Sequence, residues 1–291
     1  MGTILTQELV MQGHEVTVLT RSTKNKDQVL PKGASFLEGD PTRAGSWQEK
    51  VAGHKAIINL AGYSIFKRWN YKTKKAIRDS RVFTTQNLVD VLSDSKGKET
   101  VLLSTSAVGY YGFCGDEDLD EGRPVGNDFL ASITLEWEAA ALEAERHGIR
   151  VLLCRFGIVL GSRGGALNQM VPLFKKGLGS PLGGGKQWFS WIHELDLVNV
   201  YLFLLEQKNI SGPINCTAPQ PIRNREFTKA LGKALGRPTF MPAVPGFVIK
   251  LKMGEFGSVL LNGQKVLPKR LLDMGFSFQF SNIDEALEDL L

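Results

Sequence analysis

The sequence predicts an α/β protein built on a doubly wound parallel sheet, with a smaller α+β subdomain towards its C-terminal end. Short β-rich runs alternate with segments of helical period through the first half of the chain. Several of those runs, such as Ala56-Ile57-Ile58 and Val151-Leu152-Leu153, are apolar throughout, as strands covered on both faces must be. From Gly161 the texture changes: Gly164-Gly165 and Gly183-Gly184-Gly185 punctuate shorter helices, and prolines accumulate. The expected division is residues 1–160 for the sheet domain and 161–291 for the subdomain, some of whose segments return to the sheet.

Taken in order, Ile4, Leu5, Leu9 and Val10 have helical spacing and stop at Gly13, so a helix is already running at residue 3. Glu15 to Thr20 follows as a strand and Ala34 to Leu37 as another, with a short helix over Trp47 to Val51. Ala56 to Gly62 reads as a buried strand ending in glycine. A long basic helix, Tyr71 to Leu92, is expected to bury Ile77, Phe83, Leu88 and Val91. The stretch from Val101 to Gly112 then turns from an apolar run into hydroxyls and two tyrosines, a strand carrying Ser104 and Ser106 towards its end. Beyond the acidic loop Asp116 to Glu121 come a helix over Phe129 to Arg146, a strand over Arg150 to Phe156, the apolar helix Leu195 to Leu205, a helix over Asn224 to Leu235 and a closing helix from about Ser281.

The totals narrow the function classes. The chain has 291 residues, 43% of them hydrophobic, and a formal net charge of +5, too small to single out nucleic acid as a partner. Its three cysteines, Cys114, Cys154 and Cys216, are far apart and lack metal-ligand spacing, which points to a reducing, cytoplasmic setting and to no metal site. The longest apolar runs are too short to span a bilayer, so no membrane partner is expected.

A phosphate site is the first function the residues suggest. In dinucleotide folds the residue ending the second strand meets the adenosine ribose, an acid favouring NAD and an arginine the extra phosphate of NADP. Here that position reads Thr20-Arg21, with Lys24 and Lys26 close behind, and an arginine fork suits phosphate. The plainer alternative is a solvated basic loop. Gly2 stands where the last glycine of a pyrophosphate-binding fingerprint belongs, so the first strand and earlier glycines of such a fold are expected to be missing from this sequence, through a misplaced start or a clipped chain. A sheet without that strand has a gap of about 10 Å between neighbours, exposes unpaired edges, and is expected to hold cofactor weakly and to be poorly stable.

With these residues in view, the chain resembles the extended short-chain dehydrogenase/reductase superfamily, the NAD-dependent epimerase/dehydratase proteins. More narrowly it resembles the atypical epimerase-like proteins of the 39U type. Asn59-Leu60-Ala61-Gly62, Arg68-Trp69, Lys75, Ser80-Arg81, Ser106 with Tyr110-Tyr111-Gly112, Trp137-Glu138, Arg155-Phe156-Gly157 and Trp191-Ile192-His193 with Asp196 carry the likeness. Gly263 to Pro268 and Gly275-Phe276 are similar to that family's C-terminal domain of unknown function. The resemblance implies a Rossmann-type fold binding NADP(H), with Gly2, Arg21, Asp40, Leu60, Ala61 and Gly62 on the adenosine and phosphate side. Ser104, Ser106, Arg155 and Gly157 are then nearer the nicotinamide.

One part of the pattern is absent. The superfamily pairs a tyrosine with a lysine four residues later, the ammonium easing proton loss from the phenol. The matching helix reads Phe129-Leu130-Ala131-Ser132-Ile133-Thr134-Leu135-Glu136-Trp137-Glu138 and holds neither. No tyrosine lies between Tyr111 and Tyr201, and no lysine between Lys98 and Lys175. The candidate catalytic residues are therefore Ser106, as donor to a substrate carbonyl, Tyr110 or its neighbour Tyr111 as a displaced acid/base, and His193, whose ordinary pKa is near neutrality. Packing tyrosines and a capping histidine are the plainer readings. The expected function is an NADP(H)-dependent oxidoreductase or epimerase-like enzyme acting on a small polar substrate. The alternative is an NADP(H)-binding sensor or scaffold without turnover. The basic residues Lys67, Arg68, Lys72, Lys74, Lys75 and Arg78 read as a solvated helix face rather than a nucleic-acid surface.

Overall fold

A computed structural model describes residues 1–24, 31–92, 99–162 and 164–291, so Lys26 lies outside the described residues. The first elements are α1 (Gly2–Met11), β1 (Val16–Thr20), β2 (Ala34–Glu38), α2 (Trp47–Val51), β3 (Ala56–Asn59), α3 (Tyr71–Leu92) and β4 (Val101–Ala107). The chain continues through β5 (Asp118–Leu119), α4 (Phe129–Leu142), β6 (Arg150–Phe156), β7 (Ile158–Gly161), α5 (Gly165–Lys175), β8 (Trp188–Phe189), β9 (Trp191–His193), α6 (Glu194–Glu206) and β10 (Gly212–Cys216). It closes with β11 (Ile222–Arg223), α7 (Asn224–Ala234), α8 (Gly246–Met253), α9 (Phe256–Leu261), β12 (Lys265–Val266), α10 (Lys269–Asp273) and α11 (Ile283–Leu290).

Four strands form a parallel sheet in the order β10-β6-β4-β3, while β1 and β2 pair with each other in a separate parallel ribbon. Among the described residues no strand hydrogen-bonds the ribbon to the larger sheet. The apolar runs of β4 and β6 are explained by cover on both faces. Leu103 and Leu152 pack with Leu5, Leu9, Leu197 and Leu204 from α1 and α6, whereas Leu102, Val151 and Leu153 pack with Trp47, Leu88, Leu92 and Ala141 from α2, α3 and α4. Successive residues of one strand thus serve opposite layers. Leu102, Leu103 and Leu152 are fully buried, each side chain contributing roughly 1.5–3 kcal/mol.

Two expectations need correction. Phe83 does not join the buried stripe of α3: it is 39% exposed, with the Arg78 guanidinium 5.8 Å from its ring centre. The buried line instead runs Ile77, Thr84, Thr85, Leu88 and Leu92, with Val82 and Val89 beside it, and Val91 is only half-buried. The helix turns about 100° per residue, so Thr84 and Thr85 face the core while the ring at 83 points away from it. The other correction concerns Phe129 to Arg146, which is α-helical only to Leu142, with a 3-10 turn over Glu143–His147.

A second core gathers Leu160, Phe174, Trp191, Phe227, Leu231, Phe280 and Leu287 from α5, α7, α11 and the segments between them. The acidic loop ties this half to the sheet. Its β5 pairs with β12, Lys265 Nζ lies 2.6 Å from Asp118 Oδ1, and Glu121 Oε1 accepts from the Asn215 amide at 3.0 Å. Burial, ahead of the opposing backbone hydrogen bonds from Asn215 and Arg270, raises the Glu121 carboxyl.

Candidate functional site

The parallel strands β3, β4 and β6 end side by side, with Asn59 opposite Ser104 and Ser106 opposite Arg155. Carboxyl ends of neighbouring parallel strands are where open sheets bind ligands. Beyond β3 the turn at Leu60-Ala61-Gly62 is shaped by Asn59, whose Oδ1 accepts from Ala61 N at 3.1 Å while its Nδ2 donates to Thr85 Oγ1 at 3.0 Å. Gly2, at the head of α1, comes against this turn: a Cβ there would lie 3.6 Å from Leu60 Cδ1. A Cβ at Gly62 would lie 3.4 Å from the Arg81 guanidinium, which donates to the carbonyls of Tyr63 and Ile77. Arg81 has no acidic partner among the described residues, and burial pushes it down to about 10.

At the ends of the ribbon strands stand Arg21, exposed and making no ion pair among the described residues, and Asp40. Thr42 donates to Asp40 Oδ1 through both its hydroxyl, at 2.7 Å, and its amide, at 3.0 Å. These bonds, helped by the charges of Arg21 and Arg43, hold the Asp40 carboxyl below its ordinary value.

The tips of β4 and β6 carry a buried polar network. Arg155 grips Glu138 of α4 with two hydrogen bonds of 2.8 Å, and Ser106 Oγ donates to the same carboxylate at 2.5 Å. Arg155 Nη1 also donates to Tyr111 Oη at 3.0 Å, and Tyr111 donates onward to Asn215 Oδ1 at 2.6 Å. Burial opposes the charge on Arg155, but the hydrogen bonds and charge of Glu138 outweigh it and hold the guanidinium above its ordinary range. Burial pushes the Tyr111 phenol up to about 12, despite Arg155 beside it. Tyr111 is therefore a neutral donor at physiological pH.

Two hydroxyls near this network, Ser104 midway along β4 and Tyr110 beyond its end, remain uncommitted. Ser104 is 1% exposed and its Oγ has no hydrogen-bond partner among the described residues. Tyr110 is half-buried, its ring centre 3.5 Å from the Arg155 guanidinium carbon, and its hydroxyl has no partner among the described residues. Gly157 is demanded by packing: a Cβ would fall 2.7 Å from Ser190 O and 2.9 Å from Thr217 Cγ2.

His193 is not part of this arrangement. It is wholly buried, its Nδ1 accepts from Leu195 N at 3.1 Å to cap α6, and its ring packs on Phe280 with centres 3.9 Å apart. Its Nε2 lies 3.2 Å from Asp289 Oδ2, and burial, ahead of the nearby carboxylates, lowers its pKa. Asp116 accepts from Trp188 Nε1 at 2.9 Å and from Arg223 at 2.7 Å, beside a cavity of about 260 Å³ lined by Phe113, Lys186 and Asn262 as well.

Glu138 is the site residue that the sequence reading left without a role. Its signal was there: it falls on the same helical face as Thr134 and Ala141, both buried, and a carboxylate there needs a partner. Tyr111 and Asn215, 104 residues apart, are brought together only by the fold.

The fold and sequence are shared with known proteins. Residues 1–216 match the NAD dependent epimerase/dehydratase family, and residues 244–290 match a domain of unknown function, DUF1731. The chain is 42% identical over 292 residues to the chloroplastic epimerase family protein SDR39U1 homolog of Arabidopsis thaliana, covering 100% of this chain and 83% of that protein. It is 38% identical over 288 residues to an epimerase family protein of Mycobacterium bovis, covering 98% of this chain and 92% of the relative. The crystal structure of human epimerase family protein SDR39U1 with NADPH superposes with a TM-score of 0.85 at 33% identity, covering 99% of this chain and 95% of that one. With its parallel sheet, its strand-end rim and these relatives, the chain belongs to the NAD dependent epimerase/dehydratase family.

Proposed function

We propose that the protein is an NADP(H)-dependent oxidoreductase or epimerase-like enzyme acting on a small polar substrate. The observation that carries this reading is the pair of uncommitted hydroxyls, Ser104 and Tyr110, beside a network that is otherwise satisfied. The rim suits a dinucleotide. Gly2 leaves the head of α1 open, Arg81 has no acidic partner among the described residues, and Arg21, whose charge is felt by Asp40, makes no ion pair among them. NADPH is the ligand named with the human relative. In this assignment Gly2 and Leu60 to Gly62 line the pyrophosphate and ribose, Arg21 holds the extra phosphate with Asp40 beside it, and Ser104 and Gly157 face the nicotinamide end.

NADP(H), when bound, supplies or accepts a hydride; the chain itself handles the proton. Tyr110 Oη gives the proton to a carbonyl oxygen or takes it from a carbinol. Arg155, behind the ring and fixed by Glu138, keeps a positive charge against its face. Ser106 donates to Glu138 and so presents lone pairs rather than a proton to a substrate. It orients, while Tyr110 reacts.

The substrate lies between the sheet and the second subdomain, near the cavity at Trp188. A small molecule is favoured over nucleic acid because the basic face of α3 is partly spent on Glu255, Asp79 and Glu136. The scattered thiols support a cytoplasmic location; no helix among the described residues is long and apolar enough to cross a membrane. A sensor without turnover is the second reading, favoured by the lack of tyrosine and lysine on α4. Incubating the protein with NADPH and a panel of carbonyl compounds and nucleotide sugars separates the two. The enzyme reading expects NADPH absorbance to fall with at least one compound, whereas tight binding with no oxidation across the panel supports the sensor.

A further inference from the structure

We propose that α8 and the loop before it form a docking face for anionic lipid surfaces, an inference independent of the catalytic assignment. One side of α8 is committed to the protein through Ile249, 6% exposed. The opposite side has no cover: Phe247 is 73% exposed, Leu251 74% and Val248 38%. Phe240, in the preceding loop, is 79% exposed. Large apolar side chains this exposed, gathered within twelve residues of chain, are the kind of patch that marks an interaction site.

The charges around the patch select the occupant. At about 100° per residue, Lys250 and Lys252 fall on either flank of Leu251. Both are exposed, and neither has an ion-pair partner among the described residues. Between Phe227 and Gly254 the sequence contains Lys229, Lys233, Arg237, Lys250 and Lys252 and no Asp or Glu, although Lys233 Nζ lies 3.3 Å from Asp284 Oδ1 of α11. That excess of five equals the formal net charge of the whole chain, +5. The next acid, Glu255, is held by Lys74 Nζ at 2.6 Å.

An apolar ridge with a lysine on either flank is the arrangement of a helix lying in a membrane interface, its aromatic and leucine side chains among the acyl chains and its ammonium groups among anionic headgroups. A second copy of this face is disfavoured, since it would set Lys250 and Lys252 of one copy against those of the other. The expectation of no membrane partner rested on the lack of a spanning segment, and a helix lying on the surface needs none.

The full chain is mixed with vesicles of phosphatidylcholine alone or with an equal part of phosphatidylglycerol, and the bound fraction is read by flotation. Binding is expected to the anionic vesicles, falling in high salt, and to be weakened about tenfold or more by K250E/K252E. F247S/L251S is expected to reduce it similarly, while its thermal unfolding and its NADPH affinity stay unchanged because both side chains point away from the core. Equal binding to both vesicle types, undiminished binding by F247S/L251S, or no binding at all would overturn the proposal. So would a fall in solution mass on F247S/L251S, which would assign the face to a second copy.

Discussion

Two clusters of buried polar side chains can be set side by side. At the head of α6, His193 Nδ1 accepts from Leu195 N, and Asp196 accepts from the amides of Gln279 and Phe280 at 2.8 and 2.9 Å. These groups are spent on backbone, and they fasten α6 and the segment before α11 in place. At the tips of β4 and β6, Glu138, Arg155, Ser106 and Tyr111 satisfy one another and hold up the hydroxyls of Ser104 and Tyr110, which are left over. Burial and a titratable ring are common to both. His193 Nε2 is also without a hydrogen bond, with Asp289 Oδ2 3.2 Å away; the second cluster differs in standing beside the carboxyl ends of β3, β4 and β6, and that position, rather than residue type, separates scaffold from candidate chemistry.

The comparison breaks most visibly at Glu138. E138A leaves the Arg155 charge buried without its carboxylate and is expected to cost about 3–5 kcal/mol in denaturant unfolding. E138A/R155M, which removes both charges, should lose less than E138A alone. A loss below about 1 kcal/mol for E138A would mean that the network does not hold the site. Y110F should cut turnover by about 10²-fold or more and leave unfolding within about 0.5 kcal/mol. A variant that keeps full activity would remove Tyr110 from the chemistry.

The α6 cluster should respond in the opposite sense. H193A is expected to cost about 1 kcal/mol of stability as a lost helix cap, H193N less, and neither should change NADPH affinity. Acidity sharpens the contrast further. The folded state favours neutral His193, so its contribution is complete above the unfolded value of about 6.5 and is lost as pH falls below it. Tyr111 is raised to about 12, so its contribution is complete below the unfolded value of about 10 and is lost as pH rises through 12. Unfolding midpoints against pH should show both limbs, H193N flattening the acid one and Y111F the alkaline one.

The sheet was legible because strands buried on both faces must be apolar, and β6 and α6 stand nearly where the apolar runs do. The place of Ser104 and Ser106 on β4 was legible from the apolar run they close, but whether their hydroxyls serve packing or a ligand was not, and Ser106 donates to Glu138. Phe83 misled because hydrophobicity says that a side chain prefers cover, and only the neighbouring helices decide which side of α3 has it. Glu138 was missed as a partner because Arg155, 17 residues on, sits in a different element. Gly246-Phe247-Val248-Ile249-Lys250-Leu251 is apolar on most sides, and only the fold reveals that Ile249 is covered and Phe247 is not.

The central claim is that the strand-end rim holds NADP(H), with Arg21 on its extra phosphate. Titrating NADPH and NADH into the protein and into R21A, followed by calorimetry, tests it most directly. NADPH should bind the unaltered protein more tightly than NADH, and R21A should weaken NADPH about tenfold or more while leaving NADH unchanged. Equal affinities for the two cofactors, or an R21A variant that holds NADPH as well as the parent, would contradict it.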